Sequence, residues 1–573
     1  MLILGLNSLG HDTSAAIVKD GKLLFAVEEE RCNRKKHTTE FPINAINQCL
    51  NFVKAVVNDI DIISIGFIPH RYVKHKFLEH TLSVFPNANR LMMDEMDKVR
   101  VFLNNETIIR DKLGFKNEIR FLPHHTCHLA SSFYMSNFKQ AALLSIDGLG
   151  EIESSVTGYG NECNIFVHNE DKIRYPVSIG LLYAGITAYL GFRPFYDEQK
   201  VMGLSSYGNP DIFMNLFNEI VLFEPEGKYN FDFSYLTFQF ERNSWFSKKF
   251  LDRVGPFRKP NEEITDMHRN IAASIQKVTE NVMLHISKHL HEKTKMENLC
   301  LAGGVALNCV ANGVLLKKGR FKNVYVQPGA NDAGVAIGSA LLTLYETDPP
   351  PERYQYPLTS YWGPEYNIKI VKDTLKRFGL DFQEYDDAAP HAARYLAEGK
   401  IISWFNGRME FGPRALGNRS ILGNPYSNKF KDYINKEVKK REWWRPLCPS
   451  MLYEKRSEYL EGSIESPFMI LMDYVSEESV HKAEGIVHVD GTTRPQTVTK
   501  EQNPVFHHLI EEFYKITDLP VLLNTSLNRD FEPIVMAPED AIECFIDTKI
   551  DYLVFNNQII VSKKSLYQSK SEN

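Results

Sequence analysis

Residues 141–160 read AALLSIDGLGEIESSVTGYG: an apolar strand, a glycine-rich loop carrying Asp147, and a second strand. The same order of parts opens the chain. Leu2 to Asn7 is a strand, Ser8 to Asp12 a loop and Thr13 to Val18 a second strand. Asp20-Gly21 then makes a two-residue hairpin turn into Leu23 to Val27. Two strand–loop–strand units, each opening half of one domain, predict a duplicated nucleotide-binding fold of the α/β class. A third glycine loop, Gly303-Gly304-Val305-Ala306-Leu307-Asn308, follows the apolar run Asn298 to Ala302 and leads into a helix at Cys309 to Lys318. Strand, glycines and helix start together favour close backbone approach to an anionic or nucleotide ligand.

The second half carries a different signal. Asn406 to Ser450 packs Arg408, Arg414, Arg419, Lys439, Arg441 and Arg445 among glycines, prolines and small polar residues. A plain surface helix would spread such cations along a periodic polar face. Settings such as Phe-Gly-Pro-Arg and Trp-Arg-Pro instead fix the backbone and aim the guanidinium, whose planar fork suits phosphate and carboxylate oxygens. A polyanion is the expected ligand, with a nucleotide triphosphate the first candidate. Between the halves, Glu346 to Tyr366 (ETDPPPERYQYPLTSYWGPEY) cannot continue a helix and reads as an extended connector. The expected domains are 1–345 and 367–573, joined by a proline-rich linker at 346–366, with the last residues, KSLYQSKSEN, a frayed tail.

At 573 residues the chain is too long for one core. Its 43% hydrophobic and 24% charged content are those of an ordinary soluble protein. A net charge of -6 argues against general nucleic-acid binding, and no apolar run approaches the ~20 residues needed to span a bilayer. Met1 to Gly10 lacks a basic leader and reads as a strand. The eight cysteines contain no CxxC pair, so neither a zinc ribbon nor a disulfide scaffold is expected. Reduced thiols in the cytoplasm are the expectation.

Leu122 to Ser132 (LPHHTCHLASS) is the metal candidate. If Pro123 opens a helix, His124 and His128 lie four apart on one face. His125 and His128, three apart, can share a face too, and the spacing leaves the pair open. Asp147 of SIDGLGE and Asp332 of GANDAG are carboxylates at strand ends that complete a set suited to Fe(II), Mn(II) or Zn(II).

These motifs together resemble the NodU/CmcH-type O-carbamoyltransferases. The match is carried by GHDTSAA (Gly10 to Ala16), EEER (Glu28 to Arg31), HHTCHLAS (His124 to Ser131), DGLGE (Asp147 to Glu151), KVMGLSSYG (Lys200 to Gly208), GGVALN and NDAG (Asn331 to Gly334). FGPRALGNRS, KKREWWRP, DGTTRPQTV (Asp490 to Val498) and NTSLN (Asn524 to Asn528) extend it through the second half, so it runs almost end to end. The resemblance implies a duplicated ASKHA-type (actin/Hsp-like) metal domain followed by a YrdC-like α/β domain. The C-terminal domain would make carbamoyl-adenylate from ATP, with its Mg, and carbamoyl phosphate. The N-terminal domain would pass the carbamoyl group to a hydroxyl of a small natural product or sugar.

By the same resemblance, Arg414, Lys439, Arg445 and Arg494 match phosphate-binding cations, and Asn524 and Ser526 match polar residues lining the adenylate. His124, His128, Asp147 and Asp332 match the metal ligands, with iron expected. His11 and Asp12 fall at the acceptor loop, where either can serve as base. Gly303, Gly304 and Asn308 fall at the nucleotide-side turn. Two rivals stand beside this reading. One is a tRNA threonylcarbamoyl transferase, the other a non-catalytic nucleic-acid-binding protein using Lys429 to Arg445. The acceptor is not legible; the His-, Phe- and Met-rich segment Phe67 to Arg110 is expected to contribute to binding it or to a lid.

Overall fold

The Asp20–Gly21 turn is present in the computed structural model, which describes residues 1–84, 88–241 and 244–564. Both turn residues have positive φ, 50° and 80°, as a tight hairpin between right-twisted strands requires. Of the residues read as a tail, 564–573, all but Lys564 lie outside the described ones, as do 85–87 within the Phe67–Arg110 segment. The chain divides into two compact units. Met1–Glu29 with His37–Tyr356 forms the first, and Glu30–Lys36 with the chain from Pro357 forms the second.

Beside a small hairpin of Val221–Phe223 and Tyr229–Phe231, two large sheets form the frame of the first unit. One contains β1 (Leu2–Asn7), β2 (Ser14–Lys19), β3 (Lys22–Glu28), β4 (Ile62–Ile65) and β5 (Glu118–Phe121), in the order β3-β2-β1-β4-β5. The other contains β6 (Gln140–Ile146), β7 (Glu153–Asn161), β8 (Asn164–Val167), β9 (Asn298–Ala302) and β10 (Asn323–Val326). Its order is β8-β7-β6-β9-β10, with Ile173–Arg174 added beside β7. Each sheet is an antiparallel three-strand meander extended by two parallel strands. Thus β1 runs antiparallel to β2 and parallel to β4, and β6 antiparallel to β7 and parallel to β9. The strand order repeats between the two sheets, which is the duplication expected for this half.

Helix α1 (His124–Phe133) follows β5, α2 (Asp266–Thr294) precedes β9, α3 (Cys309–Lys318) links β9 to β10, and α4 (Ala333–Thr347) follows β10. The α4 sequence, AGVAIGSALLTLYET, is apolar all round and buried from Ala333 to Tyr345, as a helix covered on every side must be. It packs on α1 and β1. Contact is close at Gly338, where an added Cβ would stand 1.8 Å from the Cys127 carbonyl oxygen of α1. Gly338→Ala would gain about 1 kcal/mol of helix propensity. It must also push two backbones apart, a strain of about 1–3 kcal/mol or more. The expected result is net destabilisation in urea unfolding; an unchanged midpoint would mean that the strain only matches the propensity gain, and a raised one that α1 and α4 part at no cost.

The second unit is built on one mixed sheet. Its strands are β11 (Gln383–Glu384), β12 (Ile402–Phe405), β13 (Arg419–Gly423), β14 (Cys448–Leu452), β15 (Gln496–Val498), β16 (Val521–Ser526), β17 (Tyr552–Phe555) and β18 (Ile559–Ser562). Their order is β11-β18-β17-β12-β13-β16-β14-β15. The faces are covered by two apolar clusters, one around Phe405, Leu523 and Phe545 and one around Trp404, Phe506 and Phe513.

The proline-rich segment is held on both sides of the Tyr356–Pro357 division. In the first unit, buried Arg353 donates to the Phe133 and Ser136 carbonyls (3.2 Å each) and to that of Phe138, and Leu23 N–H donates to the Tyr356 hydroxyl. In the second, Phe411 N–H donates to Ser360 O at 2.7 Å, and Gly363 N–H to Met409 O at 2.9 Å. Among the described residues no helix is long and apolar enough to cross a membrane.

Candidate functional site

Pro123 precedes α1, and Glu151 caps the helix start: its Oε1 accepts from His124 N–H (3.0 Å) and from Ile68 N–H (2.8 Å). The four-residue spacing then brings His124 and His128 together, their Nε2 atoms 3.0 Å apart. Asp147, at the end of β6, places Oδ2 3.3 and 3.2 Å from them. Asp332, which precedes α4, places Oδ1 at 3.6 and 3.7 Å. One donor atom from each residue lies within 4.8 Å of all the others.

His124 Nδ1–H donates to Gly66 O at 3.1 Å, which leaves the Nε2 lone pair facing the centre. Lone pairs of nitrogen and carboxylate oxygen at such distances repel unless a proton or cation lies among them. Burial works against charging His124, yet the Asp332 and Asp147 carboxylates hold its pKa well above the usual imidazole range. Burial alone would raise Asp147, but the two imidazoles hold it well below the usual carboxylate range. Two imidazole nitrogens and two carboxylate oxygens form a borderline donor set that fits Fe(II), Mn(II) or Zn(II).

His125 points elsewhere. Its Nε2–H donates to Glu153 O and its Nδ1 accepts from Ser145 Oγ, both at 2.8 Å. Burial and the neighbouring histidines push its pKa down to about 3. The pair left open by spacing is therefore His124 and His128 as far as convergence goes.

The glycine turn after β9 supports the same centre. Gly303 has φ +91°, and a Cβ there would stand 2.2 Å from Ile146 O. Gly304 N–H (3.1 Å) and Gly148 N–H (2.7 Å) both donate to Asp147 Oδ1, which turns Oδ2 toward the imidazoles. Asn308 caps α3 by accepting from Ala311 N–H at 3.0 Å, and its amide donates to Gln276 Oε1 at 2.8 Å. These residues, expected at a nucleotide-side turn, hold the Asp147 carboxylate and the start of α3.

Near this centre lies a second constellation on the β1–β2 loop. Asp12 Oδ2 accepts from His11 Nδ1–H and from the Asn331 amide, each at 2.9 Å, and Oδ1 accepts from His37 Nδ1–H at 2.6 Å. Asn7 Nδ2 donates to the carbonyls of His11 and Asp12, both at 3.0 Å. Burial opposes the charged form of His11, but Asp332, Asp12 and Asp147 together push it up to about 10. Its side chain is 42% exposed, so solvent weakens that pull. A cation bound among Asp147 and Asp332 would cancel most of it. His37, unlike His11, gave no sign of itself in the sequence; 25 residues, two strands among them, separate the two.

The cations of the second unit divide into two groups. Arg408 donates to the carbonyls of Gly363 (3.1 Å) and Trp362. Arg419 is fully buried, donates to the Asn406 and Asn418 carbonyls (2.8 Å each) and lies 3.6 Å from the Phe405 ring centroid. Lys439 Nζ reaches Ser526 O and Asn528 O (2.8 Å each) and Asn528 Oδ1 (2.7 Å), and burial holds its pKa well below the usual lysine range. Three cations expected to face a polyanion thus use their donors on the protein itself, and Lys439 anchors the loop that carries Ser526. Glycine- and proline-rich turns leave carbonyls without ladder partners, and guanidinium or ammonium groups satisfy them as readily as phosphate.

The remaining group is Arg414, Arg441, Arg445 and Arg494. Arg414 lies on a loop folded around buried Glu410, whose Oε1 accepts from the backbone N–H groups of Leu416 (2.7 Å), Asn418 (2.8 Å) and Arg419 (3.2 Å). Asn435 ties two of the others: its Oδ1 accepts from Arg441 Nε and its amide donates to Arg445 O, both at 2.8 Å. Burial, then the like charges of Arg445 and Arg494, push Arg441 down to about 9. Asn524 donates to Ser450 Oγ (2.9 Å), Ser450 to Gln496 Oε1 (2.6 Å), and Gln496 to Leu416 O (2.8 Å), a buried polar chain ending on the Arg414 loop. Arg441, with the like charges of Arg445 and Arg494 acting on it, forms with them a set of guanidinium groups on ordered loops such as an anion site requires; Arg414 is tied to that set through the polar chain.

Two family models match the chain: Carbamoyltransferase N-terminus over residues 2–341 and Carbamoyltransferase C-terminus over residues 393–563. A Synechocystis protein described as uncharacterized protein sll1178 is 37% identical, the alignment covering 97% of this chain and 96% of that protein. Nodulation protein NolNO of Sinorhizobium fredii is 36% identical over 97% of this chain and 79% of its own length. The 3'-hydroxymethylcephem-O-carbamoyltransferase of Streptomyces clavuligerus is 38% identical over 40% of this chain and 42% of that enzyme.

Proposed function

The chain belongs to the carbamoyltransferase family, and from that premise we propose that it is an ATP-dependent O-carbamoyltransferase working in two half-reactions. The observation that carries the reading is the pairing of a buried two-histidine, two-carboxylate cluster in one unit with a set of mutually repelling arginines in the other.

In the second unit, water splits carbamoyl phosphate into carbamate and phosphate. A carbamate oxygen then attacks the α-phosphorus of Mg-bound ATP, giving carbamoyl-adenylate and pyrophosphate. Charge grows on the equatorial oxygens and on the leaving pyrophosphate, where Arg414, Arg441, Arg445 and Arg494 can stabilise it. Asn524 and Ser526 would line the adenylate, with Lys439 holding the Ser526 loop in place.

In the first unit, the acceptor hydroxyl attacks the carbamoyl carbon, the bond from that carbon to the phosphate oxygen breaks, and AMP leaves. Asp12 is fully engaged by His11, His37 and Asn331, so it orients rather than takes the proton. His11 Nε2 is the base that remains. A divalent ion held by His124, His128, Asp147 and Asp332, with iron first, would supply Lewis-acid stabilisation of the adenylate phosphate. The acceptor is a small molecule bearing a hydroxyl, and the Phe67–Arg110 segment is the proposed contributor to its binding. ATP use implies work in the cytoplasm. An RNA-directed reading is less well supported, because the chain is net acidic and Arg408, Arg419 and Lys439 turn inward instead of forming a basic face.

The test is pyrophosphate release from protein given ATP and magnesium, with and without carbamoyl phosphate. Release that depends on carbamoyl phosphate is expected. Release that ignores carbamoyl phosphate, or none from folded protein even with pooled aminoglycosides, nucleosides and sugars as hydroxyl probes, would overturn the adenylation half.

A further inference from the structure

The Asp12 carboxylate has two imidazole partners, and only one of them is accounted for by the reaction proposed above. We infer that His37 is a positioning residue: it shares Asp12 with His11 in a His–Asp–His relay that fixes the ring of His11 with Nε2 toward the acceptor.

Geometry carries this. Both imidazoles present Nδ1 to the same carboxylate, His11 to Oδ2 at 2.9 Å and His37 to Oδ1 at 2.6 Å. A ring that donates through Nδ1 keeps Nε2 for other work, the arrangement by which a buried aspartate orients a catalytic histidine. An aspartate with one histidine partner can rotate its carboxylate and let that ring swing. A second imidazole on the other oxygen, with the Asn331 amide beside the first, fixes both oxygens.

The backbone supports the same conclusion. Asp12 and His37 both hold left-handed conformations, φ 55° and 53°, which cost non-glycine residues energy and persist where surrounding contacts demand them. The two ends of the relay also differ in the right way. The His11 side chain is 42% exposed and feels the charges of Asp332 and Asp147, so it is the ring beside the transfer centre. The His37 side chain is 21% exposed and stands edge-on to Tyr196, ring centroids 4.9 Å apart, so it is the anchored ring.

The inference rests on the O-carbamoyltransferase reading for its chemistry, but its geometry can be tested alone. Imidazole N–H groups that donate to a carboxylate give proton NMR signals well downfield of ordinary amides, whether the ring is neutral or charged. His11 and His37 are expected to give two such signals beside those of other imidazole–carboxylate pairs such as His75–Glu79, His507–Glu454 and His508–Asp387, and these two alone should be lost in Asp12→Ala. His37→Ala should remove one and move the other. His37→Gln, whose amide can still donate to Asp12, should hold the second near its original position.

In the transfer assay, His37→Ala should lower kcat about tenfold to a hundredfold, the range for partners that orient a reacting group, with KM for the hydroxyl probe little changed. The probe is whichever pooled aminoglycoside, nucleoside or sugar the wild-type protein carbamoylates fastest, and His37→Gln should recover part of the loss. An unmoved His11 signal in His37→Ala, or transfer at the wild-type rate, overturns the relay. Wild-type protein that shows both downfield signals but no carbamoyl-phosphate-dependent pyrophosphate release would keep the relay and sink the reading of the reaction.

Discussion

Asp147→Ala is expected to abolish metal retention and carbamoyl transfer while leaving pyrophosphate release in place. Removing this carboxylate takes away one of four donors and one of two negative charges facing the His124 and His128 nitrogens. It also removes the acceptor that Gly148 and Gly304 N–H groups hold in position. Loss of a partner that merely orients a metal ligand typically costs about tenfold to a hundredfold in affinity, so loss of a ligand should cost more. After anaerobic reconstitution with Fe(II), metal content read by atomic emission should fall to background.

His125→Gln is the matched control, since both His125 ring nitrogens face Ser145 and Glu153 instead, and it should keep its metal. Affinity in the wild-type protein should rise with pH. The metal-free cluster holds His124 protonated well above the usual imidazole range, and a cation must displace that proton. A full metal equivalent in Asp147→Ala would remove the cluster from consideration as the metal site.

What was legible in the sequence was whatever a local pattern encodes. The Asp20-Gly21 turn declares a hairpin because few dipeptides adopt its backbone, and the strand–loop–strand pattern at 2–18 and 141–160 is the first two strands of the same meander met twice. The four-residue histidine spacing is equally local, and the helix at 124–133 converts it into convergence. What stayed hidden depends on where a side chain's partners lie along the chain. Arg419 and Arg445 look alike in sequence, yet one is enclosed among carbonyls and the other stands among arginines. A guanidinium donates to either kind of oxygen, so composition cannot separate them. Glu410, around which the Arg414 loop folds, is an unremarked acid in the sequence. Glycines 303 and 304 are needed for close backbone approach under either reading, and only the fold reveals that the group approached is Asp147.

That division among the arginines gives the second large effect. Arg445→Ala should lower carbamoyl-phosphate-dependent pyrophosphate release by about two orders of magnitude or more, because removing one donor aimed at developing charge costs about 3 kcal/mol of transition-state stabilisation. Arg414→Ala should do the same. Folding should respond differently at the two kinds of site. Arg445 contributes an ion pair to Glu442 at 3.6 Å, a contact worth about 0–1 kcal/mol, and its charge acts against Arg441. Arg445→Ala should therefore unfold within about 1 kcal/mol of wild type. Arg419→Ala would leave buried carbonyls of Asn406 and Asn418 without their donor, at about 1–3 kcal/mol for each group left unsatisfied, and should lose activity by losing the fold. Denaturation midpoints measured beside initial rates separate the two cases. Wild-type rates from folded Arg445→Ala would mean that the repelling arginines serve some ligand other than ATP and carbamoyl phosphate, and the adenylation site would have to be sought elsewhere in the second unit.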